Sequence, residues 1–379
     1  MARISTFLRA RRAALAAALL AASACATAGG GGAATERERA TAGGTTPADQ
    51  PPSASWPVKT REHVDLWLHG YAMLQADTAR VPIFRRGYQA RMRTLRQSRA
   101  VRTRLDSTTD QLRARLAANP SLVNGQFLPL YFGSWEDLRR AVDLFFQARG
   151  NPNAASDAAT RTAIALVGGT FPSTADRDWL RTFMAALEDE RTRFYHDWWL
   201  AEQRQRTGTV TAVDSLWQRS YRAKFQRYLA NTQQAGGELL LSLTLNGEGR
   251  TVTLSEQRNA VAVGQPDSVG AAIEAIYVFA HEVVNAVTGP AINDNTTPAE
   301  QRSGAVDRFA ANVTVRGGAL LLQRIAPELV AGYKRYYLRA AIQAVPAGNV
   351  DAAFAAAFPV PQQIDDAVAR QLDVVLGGI

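Results

Sequence analysis

The sequence predicts a mainly α-helical protein with one small antiparallel sheet, an α+β arrangement in which a helical array precedes a β-hairpin unit and a pair of helices. Three observations carry this expectation. From Trp56 to Thr232, apolar residues recur at helical spacing between helix-start and helix-stop signals. Between Glu238 and Val263, three extended runs lie close together. Beyond them, Ala271 to Val287 is apolar on nearly all sides, which suits a buried helix and not a surface one.

Residues 1–24 read as a targeting segment. Arg3, Arg9, Arg11 and Arg12 form a basic start, Ala13 to Ala22 an apolar stretch too short to span a bilayer, and Ala22-Ser23-Ala24 a small-residue cleavage site. Cys25 follows and is the sole cysteine, so no disulfide can form within the chain. A lone cysteine here resembles the lipidation site of bacterial lipoproteins, with Ala22 where that pattern has leucine. The resemblance implies a lipid anchor on Cys25 and, with Ala26 next to it, an outer-membrane protein facing the periplasm. Ala-x-Ala also suits ordinary cleavage, which leaves a secreted protein as the alternative. Residues 25–55 are rich in Gly, Ala, Thr and Pro, cannot bury a core, and read as a lipidated cysteine followed by a flexible tether.

The helical region is expected over 56–235. Glu62 to Ala76 has a broad apolar face. Ser134 caps a helix that runs to Ala148 and is closed by Gly150-Asn151-Pro152, and Ser173 or Thr174 opens a long helix through Trp198. Another helix spans about Thr211 to Ala230, and Pro82, Pro120 and Pro129 mark breaks.

The α+β region is expected over 236–379. Glu238 to Leu245 and Arg250 to Leu254 flank Asn246-Gly247, a strong hairpin signal, and Ala260 to Val263 forms a third strand. The buried helix that follows carries Glu274, His281, Glu282 and Asn285, polar groups that must find partners because burying them unbonded costs about 1 to 3 kcal/mol each. Thr288-Gly289-Pro290 reads as its stop and residues 291–295 as a loop. Thr297-Pro298-Ala299-Glu300 has the cap, first-turn proline and capping-box acid of a new helix, expected to reach Ile325, with Gly317-Gly318 marking close approach of another element. Pro327 starts a helix bearing Tyr333, Tyr336 and Tyr337, and a last helix runs from Gln362 to Leu376.

Strands followed by a buried helix with His281-Glu282-Val283-Val284-Asn285 resemble the zincin metallopeptidases, most nearly their glutamate-ligand branch, with a degenerate HExxN in place of HExxH. That family binds zinc through two helix histidines four residues apart, and the intervening glutamate polarises the bound water. The resemblance implies His281 as a metal ligand, Glu282 as the catalytic base, and Asn285 at the position of the second histidine. It further implies Glu300, Asp307 or Asp294 as a later ligand, and Tyr333, Tyr336 or Tyr337 as the oxyanion-stabilising phenol. A carboxamide is a poor zinc ligand, so zinc is expected to be weakly held or absent and peptidase activity impaired or lost. Glu300 is equally explained as a capping-box residue, Asp307 as a partner of a surface arginine, and the tyrosines as a packed aromatic face.

Formal charge is +9, falling to +5 once the four arginines of the targeting segment are removed. Arg85, Arg86, Arg91, Arg93, Arg96, Arg99, Arg102 and Arg104 lie in a stretch without Asp or Glu, which reads as a solvated helix face or a contact with anionic envelope lipid. Nucleic acid is not an expected partner for an exported chain; a peptide or another envelope protein is. No Gly-rich phosphate loop, Gly-x-Ser-x-Gly elbow or Cys-His metal spacing is present, so serine and cysteine hydrolase chemistry has no support. The classes left open are an impaired zincin-like hydrolase, a noncatalytic envelope binding or scaffold protein, and a lipid-contacting helical module.

Overall fold

The computed structural model describes residues 56–78, 82–256 and 258–377; the targeting segment, Cys25 and the tether lie outside them. A two-residue strand β1 (Val58–Lys59) precedes helices α1 (Glu62–Met73), α2 (Tyr88–Ser98), α3 (Arg104–Ala118), α4 (Trp135–Gln147), α5 (Ala158–Thr170), α6 (Thr174–Glu190), α7 (His196–Gln205), α8 (Thr207–Leu216) and α9 (Arg222–Asn231). Strands β2 (Gly236–Ser242), β3 (Arg250–Ser255) and β4 (Arg258–Gly264) come next. Helices α10 (Ile273–Val283), α11 (Asn285–Asp294), α12 (Pro298–Arg302), α13 (Ala310–Ile325), α14 (Val330–Ala340), α15 (Asp351–Ala357) and α16 (Gln362–Val375) complete the fold. The protein is mainly helical with one small sheet, as expected. Local signals chose several of the ends: Ser134 Oγ accepts from Asp137 N at 3.0 Å and Ser173 Oγ from Asp176 N at 3.1 Å, each satisfying an amide that the first turn leaves open.

The sheet is mixed and not antiparallel. Its order is β1-β2-β4-β3, with β1, β2 and β4 parallel and only β3 running against β4. The hairpin expected at Asn246-Gly247 does not form; the hairpin joins β3 to β4, and after β2 the chain instead pairs with residues 83–85. Arg85 N donates to Thr244 O at 3.0 Å and Asn246 N to Ile83 O at 2.9 Å. Burial explains the order. Leu239 to Leu241 of β2 and Ala260 to Val263 of β4 are buried without interruption, which requires cover on both faces and hence interior positions. In β3 only Val252 is buried, the pattern of a strand at an edge.

The sheet separates two cores. Leu240, Val252, Ala260 and Ala262 face helices of the first half, packing with Trp67, Tyr71, Phe183 and their neighbours. Leu239, Leu241, Val261 and Val263 face the other way, toward α10, α13, α14 and α16 together with Trp56, Trp217, Phe225 and Tyr228. Side chains alternate across a strand, so consecutive apolar residues serve both cores. Val269–Asp294 is long and apolar enough to cross a bilayer, yet most of it is buried inside the protein, where it forms the spine of the second core.

Two helix boundaries depart from expectation. The chain stays helical through Thr288-Gly289-Pro290 to Asp294 and breaks earlier, at Val284. There the carbonyl of Val283 accepts from Tyr228 Oη at 3.0 Å and Gln234 Nε2 at 3.2 Å, and Val287 N turns to Val284 O at 2.9 Å, so long-range partners take a carbonyl from the helical ladder. The helix begun at Pro298 ends at Arg302, and a 3₁₀ turn, Val306–Arg308, leads into α13. Gly317 does mark a close approach: a Cβ there would lie 2.6 Å from Thr288 Cγ2 of α11.

Candidate functional site

The zincin-like residues lie where α10 meets the loop before the edge strand. His281 and Glu282 are both buried. Glu282 Oε1 accepts from Gly249 N at 2.9 Å and lies 2.8 Å from His281 Nδ1, close enough for an Nδ1–H to donate to it. Gly249 has to be a glycine: a Cβ there would run into the carbonyl of Ala262 on β4 and lie 3.2 Å from Glu282 Cγ. The Glu282 carboxylate thus straps the 246–249 loop to the helix. On the other side, the His281 ring stacks on Tyr337 with centroids 5.2 Å apart, and Tyr337 Oη donates to Gly247 O at 3.1 Å.

Asn285 is exposed, beyond the break at Val284. Its Nδ2 donates to Glu282 O at 3.1 Å and its Oδ1 accepts from Thr314 Oγ1 at 3.1 Å, which uses both ends of the amide within the protein. Glu300 is held in its capping box: Thr297 N donates to Glu300 Oε2 at 2.8 Å, and Glu300 N donates to Thr297 Oγ1 at 3.2 Å. The bonds from Thr297 hold its carboxyl below the ordinary value. Asp307 sits half-buried in the 3₁₀ turn, its carboxyl raised by desolvation, and it makes no ion pair among the described residues, where an arginine partner was an expected alternative. Asp294 is exposed at the end of α11.

Among the described residues, no three His, Cys, Asp or Glu side chains gather in a group that could hold a metal ion. The donors near His281 fit zinc poorly on chemistry as well: the adjacent carboxylate is bonded to an amide and to the imidazole, and the carboxamide oxygen is bonded to a hydroxyl. Tyr333 Oη donates to Val315 O at 3.0 Å, and burial holds the phenols of Tyr333 and Tyr337 well above the ordinary range. Both protons are therefore committed to backbone carbonyls. Tyr336 differs: its ring packs on Tyr277 and Tyr337, and its hydroxyl has no hydrogen-bond partner among the described residues.

Comparison with protein-family models, curated proteins and solved structures finds no match for this chain.

Two groupings were not visible in the sequence. The acid-free arginine stretch does not form one solvated face. Arg96 is buried, its guanidinium 3.0 Å from Glu190 Oε2 and 2.9 Å from Asp106. Glu190 also receives a bond from Thr103 Oγ1 and lies 3.1 Å from His69 Nε2, while His69 Nδ1 lies 3.1 Å from the Tyr88 hydroxyl. Desolvation pushes His69 down against the raising effect of Glu190, which favours the neutral ring, and in that form Nε2 donates to Glu190 and Nδ1 accepts from Tyr88. Burial opposes ionisation of Glu190, but its bond to His69 and the nearby Arg96 charge outweigh that and hold its carboxyl below the ordinary value. The second grouping is a cavity of ≈ 430 Å³ that collects Arg85, Arg86 and Arg91 with Arg339, Tyr336 and Asn246. The one local signal for either was the missing acid between Arg85 and Arg104, and it did not tell which arginines turn inward.

Proposed function

We propose that the protein is a tethered envelope lipoprotein whose body is a noncatalytic binding scaffold of zincin-like descent, with the HExxN helix retained as a structural element. The observation that carries this reading is the commitment of its polar groups: Glu282 to Gly249 N and His281, and Asn285 to Glu282 O and Thr314. Glu282 Oε1 takes both bonds, one from Gly249 N and one toward His281 Nδ1, so the carboxylate is oriented by a loop amide and a neighbouring ring, which supports a structural use of the helix. The edge strand β3 touches α10, and the loop leading into that strand bonds to Glu282, which supports the zincin comparison.

The test is elemental analysis of the mature protein beside His281→Ala and Asn285→His, with hydrolysis of denatured casein measured on each. We expect no stoichiometric zinc and no cleavage in the native protein, and zinc uptake in Asn285→His above the native level. Stoichiometric zinc in the native protein that disappears in His281→Ala overturns the noncatalytic reading. No uptake in Asn285→His removes the zincin comparison and leaves a binding scaffold. The anchor is tested separately by labelling cells with a radioactive fatty acid: label in the native protein and none in Cys25→Ala is expected, and equal label in both refutes it.

A further inference from the structure

The ≈ 430 Å³ cavity lies between the start of α2, the loops at 246 and 267, the start of α10 and the end of α14, and it falls in the size range of small-ligand sites. Its charged lining is four guanidiniums, Arg85, Arg86, Arg91 and Arg339, against two carboxylates, Asp267 and Glu274. Both carboxylates are spoken for: Asp267 pairs with Arg85 and with Arg206 at 3.1 Å, and Glu274 with Arg339 at 3.0 Å. Arg91 pairs with Glu202 at 2.7 Å. Arg86 has no carboxylate, and its guanidinium bonds to the carbonyl oxygens of Ala340 and Arg339 at the C-terminal end of α14.

The unpaired groups here can each donate a hydrogen bond. Arg85 Nε is buried without a hydrogen-bond partner. The hydroxyl of Tyr336 and the carboxamide of Asn246, both lining the cavity, make no side-chain hydrogen bond among the described residues. Gly87 in the wall caps α2, whose first amides are already used, Tyr88 N by Arg85 O at 3.1 Å and Gln89 N by Thr78 Oγ1 at 3.4 Å, so the cavity's attraction for an anion rests on its side chains. A lining with excess cation and unused donors selects an anion with several acceptor oxygens, and guanidinium clusters suit phosphate in particular.

We propose that this cavity binds a phosphate monoester, with the dianion seated between Arg86, Arg339 and Tyr336. The site is separate from His281 and Glu282 and stands whether or not the zincin reading holds. The same headgroup chemistry is presented by a soluble phosphomonoester and by phosphatidic acid in a membrane.

The experiment is calorimetric titration of the full mature protein with glycerol 3-phosphate, alongside flotation with phosphatidylcholine vesicles carrying phosphatidic acid. Arg86→Ala and Tyr336→Phe are compared with Arg370→Ala, an exposed arginine outside the cavity that makes the same change in net charge. Saturable binding weakened about tenfold or more in Arg86→Ala, the loss expected for one charge-assisted contact, supports the site if Arg370→Ala binds as the native protein does. Binding of glycerol 3-phosphate without vesicle capture identifies a soluble ligand; vesicle capture displaced by glycerol 3-phosphate identifies a lipid headgroup. Absence of saturable binding to either probe, or equal weakening in Arg86→Ala and Arg370→Ala, overturns the proposal.

Discussion

If the Glu282 carboxylate is a strap and not a base, removing it should cost stability, and the cost can be worked from its two bonds. Glu282→Ala deletes the acceptor for Gly249 N at 2.9 Å and for His281 Nδ1 at 2.8 Å. Bonds to a charged acceptor contribute about 1.5 to 3 kcal/mol each, but Gly249 is only partly buried and water can replace its partner. A loss of about 3 kcal/mol in total is therefore expected. Glu282→Gln keeps an oxygen in place for Gly249 N and surrenders only the charge, so its cost should be near 1 kcal/mol. At a urea dependence of about 3 kcal/mol per molar, the alanine variant should unfold about 1 M earlier than the native protein. Urea unfolding of both variants, followed by circular dichroism, reads the difference. An alanine variant no less stable than the glutamine variant would refute the strap. So would equal stability in all three proteins together with a loss of hydrolysis confined to the variants, the behaviour of a catalytic carboxylate.

Glu190→Ala should be more damaging, by about 3 to 5 kcal/mol, because it leaves Arg96 buried with only the Asp106 carboxylate beside it. Glu190 has its folded pKa below its unfolded one, so its contribution is present above the ordinary glutamate value and is lost as pH falls through the lowered one. Urea midpoints of the native and variant proteins should therefore converge in acid, and a gap that widens there would contradict the assignment. Asp65 behaves in the opposite sense: burial raises its carboxyl to about 6, against bonds from Ser242, Trp199 and Leu243. Between the ordinary aspartate value of 3.8 and about 6 the folded protein holds a proton that the unfolded chain has released, so native stability falls as pH rises through that window, by about 3 kcal/mol in all. Asp65→Asn should remove that slope whatever constant offset it adds, and unfolding measured across this window with an unchanged slope would show that Asp65 is not its source.

The caps and boundaries that could be read in advance are those decided within one helical turn. Ser134, Ser173 and the Thr297-Glu300 box each satisfy amides three residues away, so the residues needed are adjacent in the chain. The early break at Val284 was hidden because the groups that cause it, Tyr228 and Gln234, lie 55 and 49 residues upstream of Val283. Asn246-Gly247 pointed to a hairpin through its turn propensity, while the uninterrupted apolar runs of β2 and β4 called for interior strands; the second signal carries more buried area and set the strand order. His281, Glu282 and Asn285 were identifiable as residues that must find partners, but which partners depended on the loop that reached them. By itself the sequence determined the helical class, three of the four strands, several caps and the burial of the spine helix but not its break or its end, since these follow from spacing and short-range bonds. Only the tertiary structure decided that Arg96, His69 and Glu190 share one buried network and that the Arg86 guanidinium reaches the carbonyl of Arg339 at the wall of a cavity, because those pairings join residues 94 to 253 positions apart and are set by how the two cores close around the sheet.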